Sequence, residues 1–407
     1  MVLRGILLLS LSGFLGSFVL LGHIASTLAP MYALAMLAVT GYVMARGPRH
    51  TLTSFLEYLC SWTMAPRWLF LALAALSLLW TARPAGLAEG SSLTRVLTLL
   101  LIQTSAWVVY DATRRLGEFE NVLRIIFYSS ALGASIALLD LDAVGGYRIR
   151  GMFGNPNVLA ITGTLGLLTF IGYLCTSMAR WERVLAVIPV IALQAAVFSS
   201  GSRKGLLGLV IVWLTGLVQR RTRGMTMMVI GLALTASLAA FALAPKLLQD
   251  AAFRNLNRLA TTFEQSTTSA TIDFSAAERA RFIEEGLALM AEAPIFGHGL
   301  DTFRSLSGEG SYAHNNYIEL GVGLGLVGVL VFYTFPLVLI YLLSRLRWRG
   351  TSDAGQLAAF GLATLGLILV MDVGAVTYMS KLVSIVPIII AGAIDARTNA
   401  DRPRWRA

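Results

Sequence analysis

Charged residues and cysteines are both scarce in this chain. Only 13% of its 407 residues are Asp, Glu, Lys or Arg, against 56% that are hydrophobic. A soluble globular domain carries about 25% charged residues, so a protein with an ordinary water-exposed surface is excluded. The two cysteines, Cys60 and Cys175, both lie in apolar sequence. A disulfide between them is not expected.

Familiar catalytic signatures are missing as well. The sequence contains no H-E-x-x-H, Walker A or G-x-S-x-G motif, and no set of cysteines and histidines with metal-ligand spacing. Metalloproteases, P-loop ATPases and serine hydrolases of the soluble type are therefore poor interpretations. No internal period indicates a repeat array. Any chemistry must come from a different constellation of residues.

What the sequence does contain is apolar runs near the roughly 20 residues that cross a bilayer. They recur along the whole chain and predict an all-α polytopic membrane protein with about twelve transmembrane helices. The stretch 52–66 is apolar too, but it contains Glu57 and ends at Pro66, which favours an interfacial or re-entrant helix. The predicted spans lie near 3–22, 29–45, 68–82, 93–110, 122–139, 157–176, 184–199, 205–219, 225–244, 315–343, 356–376 and 381–395.

Positive charge is distributed in short clusters between these spans. The net charge of +10 could suggest that the protein binds nucleic acid. The clusters alternate with the spans, however, so the positive-inside rule places the clusters and both termini in the cytoplasm. Nucleic acid is therefore not an expected partner. The clusters comprise Arg46 with Arg49, Arg114 with Arg115 and Arg124, Arg180 with Arg183, Arg220 with Arg221 and Arg223, Arg345 with Arg347 and Arg349, and the tail from Arg397 to Arg406.

This topology divides the chain into three regions. Residues 1–244 carry the first nine spans, residues 245–314 form a helical cap on the outer face, and residues 315–407 carry the last three spans and a cytoplasmic tail. Ser275 and Glu278 form a capping box that predicts a helix in the cap. Arg279 follows on the apolar stripe of this helix, where a guanidinium needs an anionic partner. That partner could be a Glu of the chain or a ligand.

A histidine stands where the cap meets the tenth apolar run, in Ala313-His314-Asn315-Asn316-Tyr317. An unperturbed histidine pKa of roughly 6.5 suits proton transfer near neutrality. His314 is therefore the candidate for catalysis. The alternative is an interfacial histidine that only anchors the end of a helix.

Cations also occur in short outer loops, against the positive-inside bias. They are Arg148 and Arg150, in the segment 147–157, and Arg203 and Lys204, in Ser199-Ser-Gly-Ser-Arg-Lys-Gly205. Together with Arg279 they suit the oxygens of a phosphate or diphosphate, which a guanidinium binds with two parallel hydrogen bonds. The alternative for 199–205 is a small polar turn.

Two carboxylates at an outer helix end offer a rival interpretation. Asp140 and Asp142 could hold a divalent metal, as in metal-dependent membrane glycosyltransferases. Two carboxylates at a helix end are a weak sign of a metal, and we favour the alternative that they are solvated acids facing Arg148 and Arg150. We expect no metal site here.

The order of these motifs resembles that of the O-antigen ligase and polymerase superfamily. The resemblance covers roughly residues 145–330 in motif and the whole chain in number of spans. It rests on Arg150-Gly-Met-Phe-Gly-Asn155-Pro156-Asn157, Ser202-Arg203, Arg279, Pro294-Ile-Phe-Gly297-His-Gly299 and Ala313-His314-Asn315-Asn316-Tyr317.

The resemblance implies a GT-C type glycosyltransferase of the bacterial inner membrane, with its active site facing the periplasm. Such an enzyme takes glycan from undecaprenyl diphosphate, and the ligase branch transfers O-antigen to lipid A–core oligosaccharide. His314 matches the family's proposed general base, and Arg203 and Arg279 match the arginines proposed to hold the donor diphosphate. Arg150, Lys204, Asn315 and Asn316 are further expected substrate contacts. No cofactor is expected, and Asn155 and Asn157 receive no role.

The chemistry of glycosyl transfer agrees with these residue types. The acceptor hydroxyl must lose a proton, and the leaving diphosphate gains charge that fixed arginines can hold without a metal. Direct attack from the opposite face would invert the anomeric centre. The motifs do not separate a ligase from an O-antigen polymerase or a protein O-oligosaccharyltransferase. A twelve-span transporter is the alternative from another class, but the cations gather at one face and the halves do not match.

Overall fold

A computed structural model describes residues 2–20, 28–81, 91–139, 155–219, 222–224, 227–228, 231, 274–308, 310–348 and 352–400. Every regular element in these ranges is helical, which confirms the all-α prediction for them. The helices are α1 (Val2–Leu20), α2 (Leu28–Arg46), α3 (Pro48–Leu59), α4 (Ala65–Leu76), α5 (Ser92–Arg115), α6 (Phe119–Leu139), α7 (Pro156–Thr169), α8 (Cys175–Ser177), α9 (Arg180–Leu185), α10 (Val187–Ser199), α11 (Arg203–Val218), α12 (Phe274–Glu292), α13 (Phe303–Leu306), α14 (Asn316–Trp348), α15 (Ser352–Asp372) and α16 (Lys381–Ala400).

Six helical segments among the described residues are long and apolar enough to cross a membrane. Each overlaps a predicted span, and shorter apolar helices at Leu7–Gly16, Ala35–Arg46 and Ala65–Leu79 overlap three more. The chain is thus a polytopic membrane protein, and the number twelve stays a prediction. The six segments are Ser92–Arg115, Phe119–Leu139, Pro156–Ser177, Arg180–Ser199, Asn316–Arg347 and Asp353–Asp372.

The chain forms two compact units. Unit 1 comprises Met1–Phe18, Ile24–Ile125 and Arg279–Ala407, and unit 2 comprises Val19–His23 and Ile126–Glu278. His314 and Arg279 belong to unit 1, whereas Arg203 and Lys204 belong to unit 2.

Helix α14 does not run straight, which corrects the prediction of one continuous span over 315–343. Its Gly325 has φ 63° and ψ −166°, far from helical values. The side-chain Nδ2 of Asn316 lies 3.0 Å from the hydroxyl of Tyr333, which is 17 residues further along the chain. In a straight helix those residues would be about 25 Å apart. The first part, 316–324, therefore folds back along the second, and we call this the α14 hairpin (316–333).

The hairpin is closed by residues 294–299, which we call the clasp. The amide nitrogens of His298 and Gly299 donate to the carbonyls of Val322 (2.8 Å) and Gly323 (2.7 Å). In the opposite sense, the carbonyls of Pro294 and Ile295 accept from the amides of Leu326 (2.8 Å) and Val327 (3.2 Å). The break at Gly325 leaves backbone carbonyls of the first part and backbone amides of the second part without partners inside the helix. The clasp supplies hydrogen-bond partners to both, as a helix break within a membrane requires.

Glycines permit this close approach of two backbones. Gly297 has φ 65°, and a Cβ built on it would lie 2.6 Å from the carbonyl carbon of Gly323 and from the amide nitrogen of Gly325. No side chain fits at that distance. The pattern Pro294-Ile-Phe-Gly297-His-Gly299 is therefore explained by the hairpin it holds.

Two buried carboxyl groups, Asp111 and Asp395, lie near the C-terminal end of α5. Asp111 accepts a hydrogen bond from Tyr42, and Asp395 accepts from Tyr110 and from Thr63, the latter at 2.9 Å. Both carboxyl groups are thus bonded to hydroxyl donors within unit 1, as buried acids require. The hydropathy pattern does not predict ionisable groups buried at this end of α5.

In unit 2, small residues bring α7 against α10 and α11. A Cβ on Gly205 of α11 would lie 2.7 Å from the Ala160 Cβ, and one on Gly163 of α7 would lie 2.6 Å from a Val197 methyl group. Close backbone approach through glycine is the usual means of packing membrane helices, because lipid tails provide no hydrophobic driving force between them.

Candidate functional site

His314 lies two residues before α14 begins, in a backbone conformation that non-glycine residues rarely adopt. Its φ is 53°, in the left-handed region where such residues cluster at functional sites. The imidazole is half-buried and stacks on Phe282 of α12, with ring centroids 6.1 Å apart and 18° between the planes. Its Nε2 lies 3.5 Å from the Ser311 hydroxyl.

The backbone on both sides of His314 is fixed by hydrogen bonds. On one side the Ala313 amide donates to Glu319 Oε2 at 2.9 Å. On the other side Asn315 caps α14, because its Oδ1 accepts from the amides of Tyr317 (2.9 Å) and Ile318 (3.2 Å). Asn315 is a preferred capping residue. The capping explains its place in the motif, and a substrate contact through it stays a prediction.

Asn316 is fully buried and ties the hairpin to the end of α15. Its Nδ2 donates to the Tyr333 hydroxyl, which in turn donates to Asp372 at 2.7 Å. Its Oδ1 accepts from the amides of Thr377 (3.0 Å) and Tyr378 (3.1 Å). A direct contact between Asn316 and a substrate would require these bonds to open, so the structure gives this predicted contact residue an internal role.

Two arginines that sequence analysis missed lie close to the histidine loop. Arg95, in the first turn of α5, and Arg304 of α13 both pair with the buried Asp301, at 3.1 and 3.6 Å. Arg95 also donates to the Tyr312 hydroxyl, and Arg304 lies over the Tyr312 ring at 5.2 Å. The positive-inside bias could have flagged both, because the predicted topology places them at the outer face.

Arg279 lies half-buried near the beginning of α12. The predicted apolar stripe of this helix is only partly buried: Phe282 is fully buried, whereas Ile283 is 37% exposed. The helix ends at Glu292, two residues before Pro294. The stripe packs Phe282 against Phe303 and the residues around His314.

In unit 2, two motifs 45 residues apart meet at the beginnings of their helices. Asn155 caps α7 by accepting from the Asn157 amide at 2.8 Å. The Ser202 hydroxyl donates to Asn157 Oδ1 at 2.9 Å, and Ser202 caps α11. This geometry supplies the role that sequence analysis could not assign to Asn155 and Asn157.

Arg203 and Lys204 occupy the first turn of α11, and both are half-buried. A helix N-terminus carries partial positive charge, so cations in the first turn are unfavourable there and an anion is favourable. The N-terminus of α7 lies beside it through the bond between Ser202 and Asn157. Two helix N-termini and two cations therefore form a place suited to phosphate oxygens.

Arg150 lies outside the described residues, as do Asp140 and Asp142. His298, in the clasp, has its Nε2 2.9 Å from the Leu289 carbonyl of α12. Among the residues the structure describes, no group of three or more His, Cys, Asp or Glu could hold a metal ion.

Comparison with known proteins supports the resemblance drawn from the motifs. Residues 188–333 match the model of a family described as O-antigen ligase. The match contains Arg203, Arg279, the clasp and His314, and it confirms the resemblance to the O-antigen ligase superfamily. No curated protein matches the chain.

Proposed function

We propose that this member of the O-antigen ligase superfamily transfers O-antigen glycan from undecaprenyl diphosphate to lipid A–core oligosaccharide. The family match supports a glycosyltransferase-type role in O-antigen processing. The single observation that carries the proposal is His314: a half-buried imidazole, in a rare backbone conformation that is fixed on both sides, within the matched segment.

His314 is the general base of the proposed reaction. As the acceptor oxygen attacks the anomeric carbon, the hydroxyl proton moves to an imidazole nitrogen and the bond between the sugar and the diphosphate breaks. Stacking on Phe282 fixes the ring plane, and a positioned base contributes about 10²–10⁴-fold to such a step. Attack opposite the leaving group inverts the anomeric centre.

The donor diphosphate is held by Arg203, Lys204 and Arg279, with Arg150 as a further contact. The leaving group develops negative charge as the glycosidic bond breaks, and donors that are already in place stabilise that charge without reorganisation. The positions of Arg203 and Lys204 at a helix N-terminus support this role. The reaction then needs neither a metal nor a cofactor.

The proposal includes the topology that the sequence predicts. The chain spans the bacterial inner membrane about twelve times, with both termini in the cytoplasm and residues 245–314 as a helical cap on the periplasmic face. Residues 1–244 and 315–407 carry the transmembrane helices of a GT-C type fold. Membrane lipids, the lipid-linked donor and lipid A–core are the partners.

The lipopolysaccharide banding of a deletion strain tests the proposal. If the protein is the ligase, the strain accumulates lipid A–core without any O-antigen, and the wild-type gene restores the ladder. A core that carries one repeat unit would instead identify an O-antigen polymerase. An unchanged ladder would contradict both and favour a protein O-oligosaccharyltransferase.

A further inference from the structure

We infer that Glu319 is a positioning residue for His314, because its carboxylate fixes the backbone that directs the imidazole. The inference rests on the proposed general-base role of His314. Glu319 lies in the first turn of α14 and is 2% exposed. Its Oε2 accepts the Ala313 amide hydrogen at 2.9 Å, one residue before the histidine.

This hydrogen bond matters because His314 has a backbone conformation that the residue would not keep without surrounding contacts. A φ of 53° brings the Cβ of an L-residue close to its own backbone, and surrounding contacts must impose it. The bond from the Ala313 amide to Glu319 is one such contact, and it lies on the residue directly before His314. If the Ala313 amide were released, φ would relax to negative values and turn the ring away from Phe282 and Ser311.

Glu319 is also poorly explained as a residue that only stabilises the fold. Its second oxygen, Oε1, is buried and has no hydrogen-bond partner among the residues described here. A buried carboxylate that is only half satisfied is costly for stability. The group is therefore better explained by the bond that its other oxygen makes to the residue before His314.

Three variants of the purified full-length protein separate positioning from stability. Glu319→Leu removes the acceptor, whereas Glu319→Gln keeps an oxygen that can accept from Ala313. Tyr317→Phe is the matched control, because it removes another bond of the first turn of α14, the one to the Leu369 carbonyl at 3.2 Å, and leaves residue 313 untouched.

We expect Glu319→Leu to lower kcat for glycan transfer about tenfold, which is about 1.4 kcal/mol in the barrier, with the donor KM within about twofold of wild type. Glu319→Gln should retain most of kcat, and Tyr317→Phe should match wild type. A kcat for Glu319→Leu within twofold of wild type would overturn the inference. So would a Glu319→Gln variant as slow as Glu319→Leu.

A second readout does not depend on transfer. A spin label on His314→Cys, in a Cys60→Ser background, should become more mobile with Glu319→Leu and stay ordered with Glu319→Gln. An unchanged spectrum with Glu319→Leu would show that the carboxylate does not hold this backbone. Failure of the proposed function looks different: wild type would not transfer glycan, or His314→Ala would transfer it normally, whatever the Glu319 variants do.

Discussion

The contact between the clasp and the α14 hairpin makes a quantitative prediction about Gly297. In Gly297→Ala, the new Cβ would meet the backbone of Gly323 and Gly325 at 2.6 Å. Backbone atoms cannot yield as a flexible side chain can, so the clasp must move away from the hairpin. Overpacking of this kind costs about 1–3 kcal/mol.

The conformation of Gly297 adds a second term. Its φ of 65° disfavours any residue with a Cβ by about 1–2 kcal/mol. The two terms together predict that Gly297→Ala lowers the free energy of unfolding by about 2–5 kcal/mol. The same substitution should also lower glycan transfer, because the hairpin begins two residues after His314.

Gly308 provides a matched control within unit 1. Its φ is 72°, but a Cβ there would have no neighbour within 4 Å. Gly308→Ala should therefore lower the free energy of unfolding only through the unfavourable φ, by about 1–2 kcal/mol. The difference between the two variants isolates the close approach.

Equilibrium unfolding of the purified variants in mixed micelles, followed by circular dichroism, measures this difference. We expect Gly297→Ala to be less stable than Gly308→Ala by about 1–3 kcal/mol. Equal losses in the two variants would refute the argument, because the loss would then come from φ alone and the clasp would not touch the hairpin as described.

Three further predictions concern the donor, the metal and the topology. Arg203→Ala and Arg279→Ala should each raise the donor KM about tenfold or more, because each loses charge-assisted hydrogen bonds, whereas Arg223→Ala, at an exposed residue, should not. Purified protein should transfer glycan in excess EDTA at nearly its ordinary rate, because cations of the chain stabilise the leaving group. A periplasm-dependent reporter should be active when fused near Gly310 and silent when fused near Gly350.

Each of these has a result that would contradict it. Unchanged donor KM in both arginine variants would remove the proposed diphosphate contacts. Activity that vanishes with the chelator and returns with Mg²⁺ or Mn²⁺ would restore the metal interpretation of Asp140 and Asp142. The reverse reporter pattern would place His314 in the cytoplasm and overturn the donor and acceptor proposed for it.

Hydropathy predicts much of the fold because the bilayer fixes the length of an apolar helix. It fails at α14, where Leu324 and Leu326 continue the apolar run on both sides of Gly325. A sliding average sees one long span there, and only the backbone shows that the chain turns. The glycines at 321, 323 and 325 were the one local sign of the hairpin.

Candidate residues of the site could be predicted where their role follows from the residue type. They could not be predicted where the role follows from contacts in the folded chain. His314 and Arg203 follow from side-chain chemistry and position in the topology. The bond between Asn157 and Ser202 joins residues 45 apart, and the one between Asn316 and Tyr333 needs the hairpin to exist. Neither contact has a periodicity that a sequence displays, so the internal roles of these asparagines appear only in the fold.

Transfer by purified His314→Ala tests the central claim most directly. The assay uses lipid-linked glycan donor and lipid A–core acceptor, with wild type measured beside it and insertion and expression of the variant confirmed. Loss of a positioned general base should lower the rate about 10²–10⁴-fold while the protein remains folded. Transfer near the wild-type rate would contradict the account, because His314 would then not be the base.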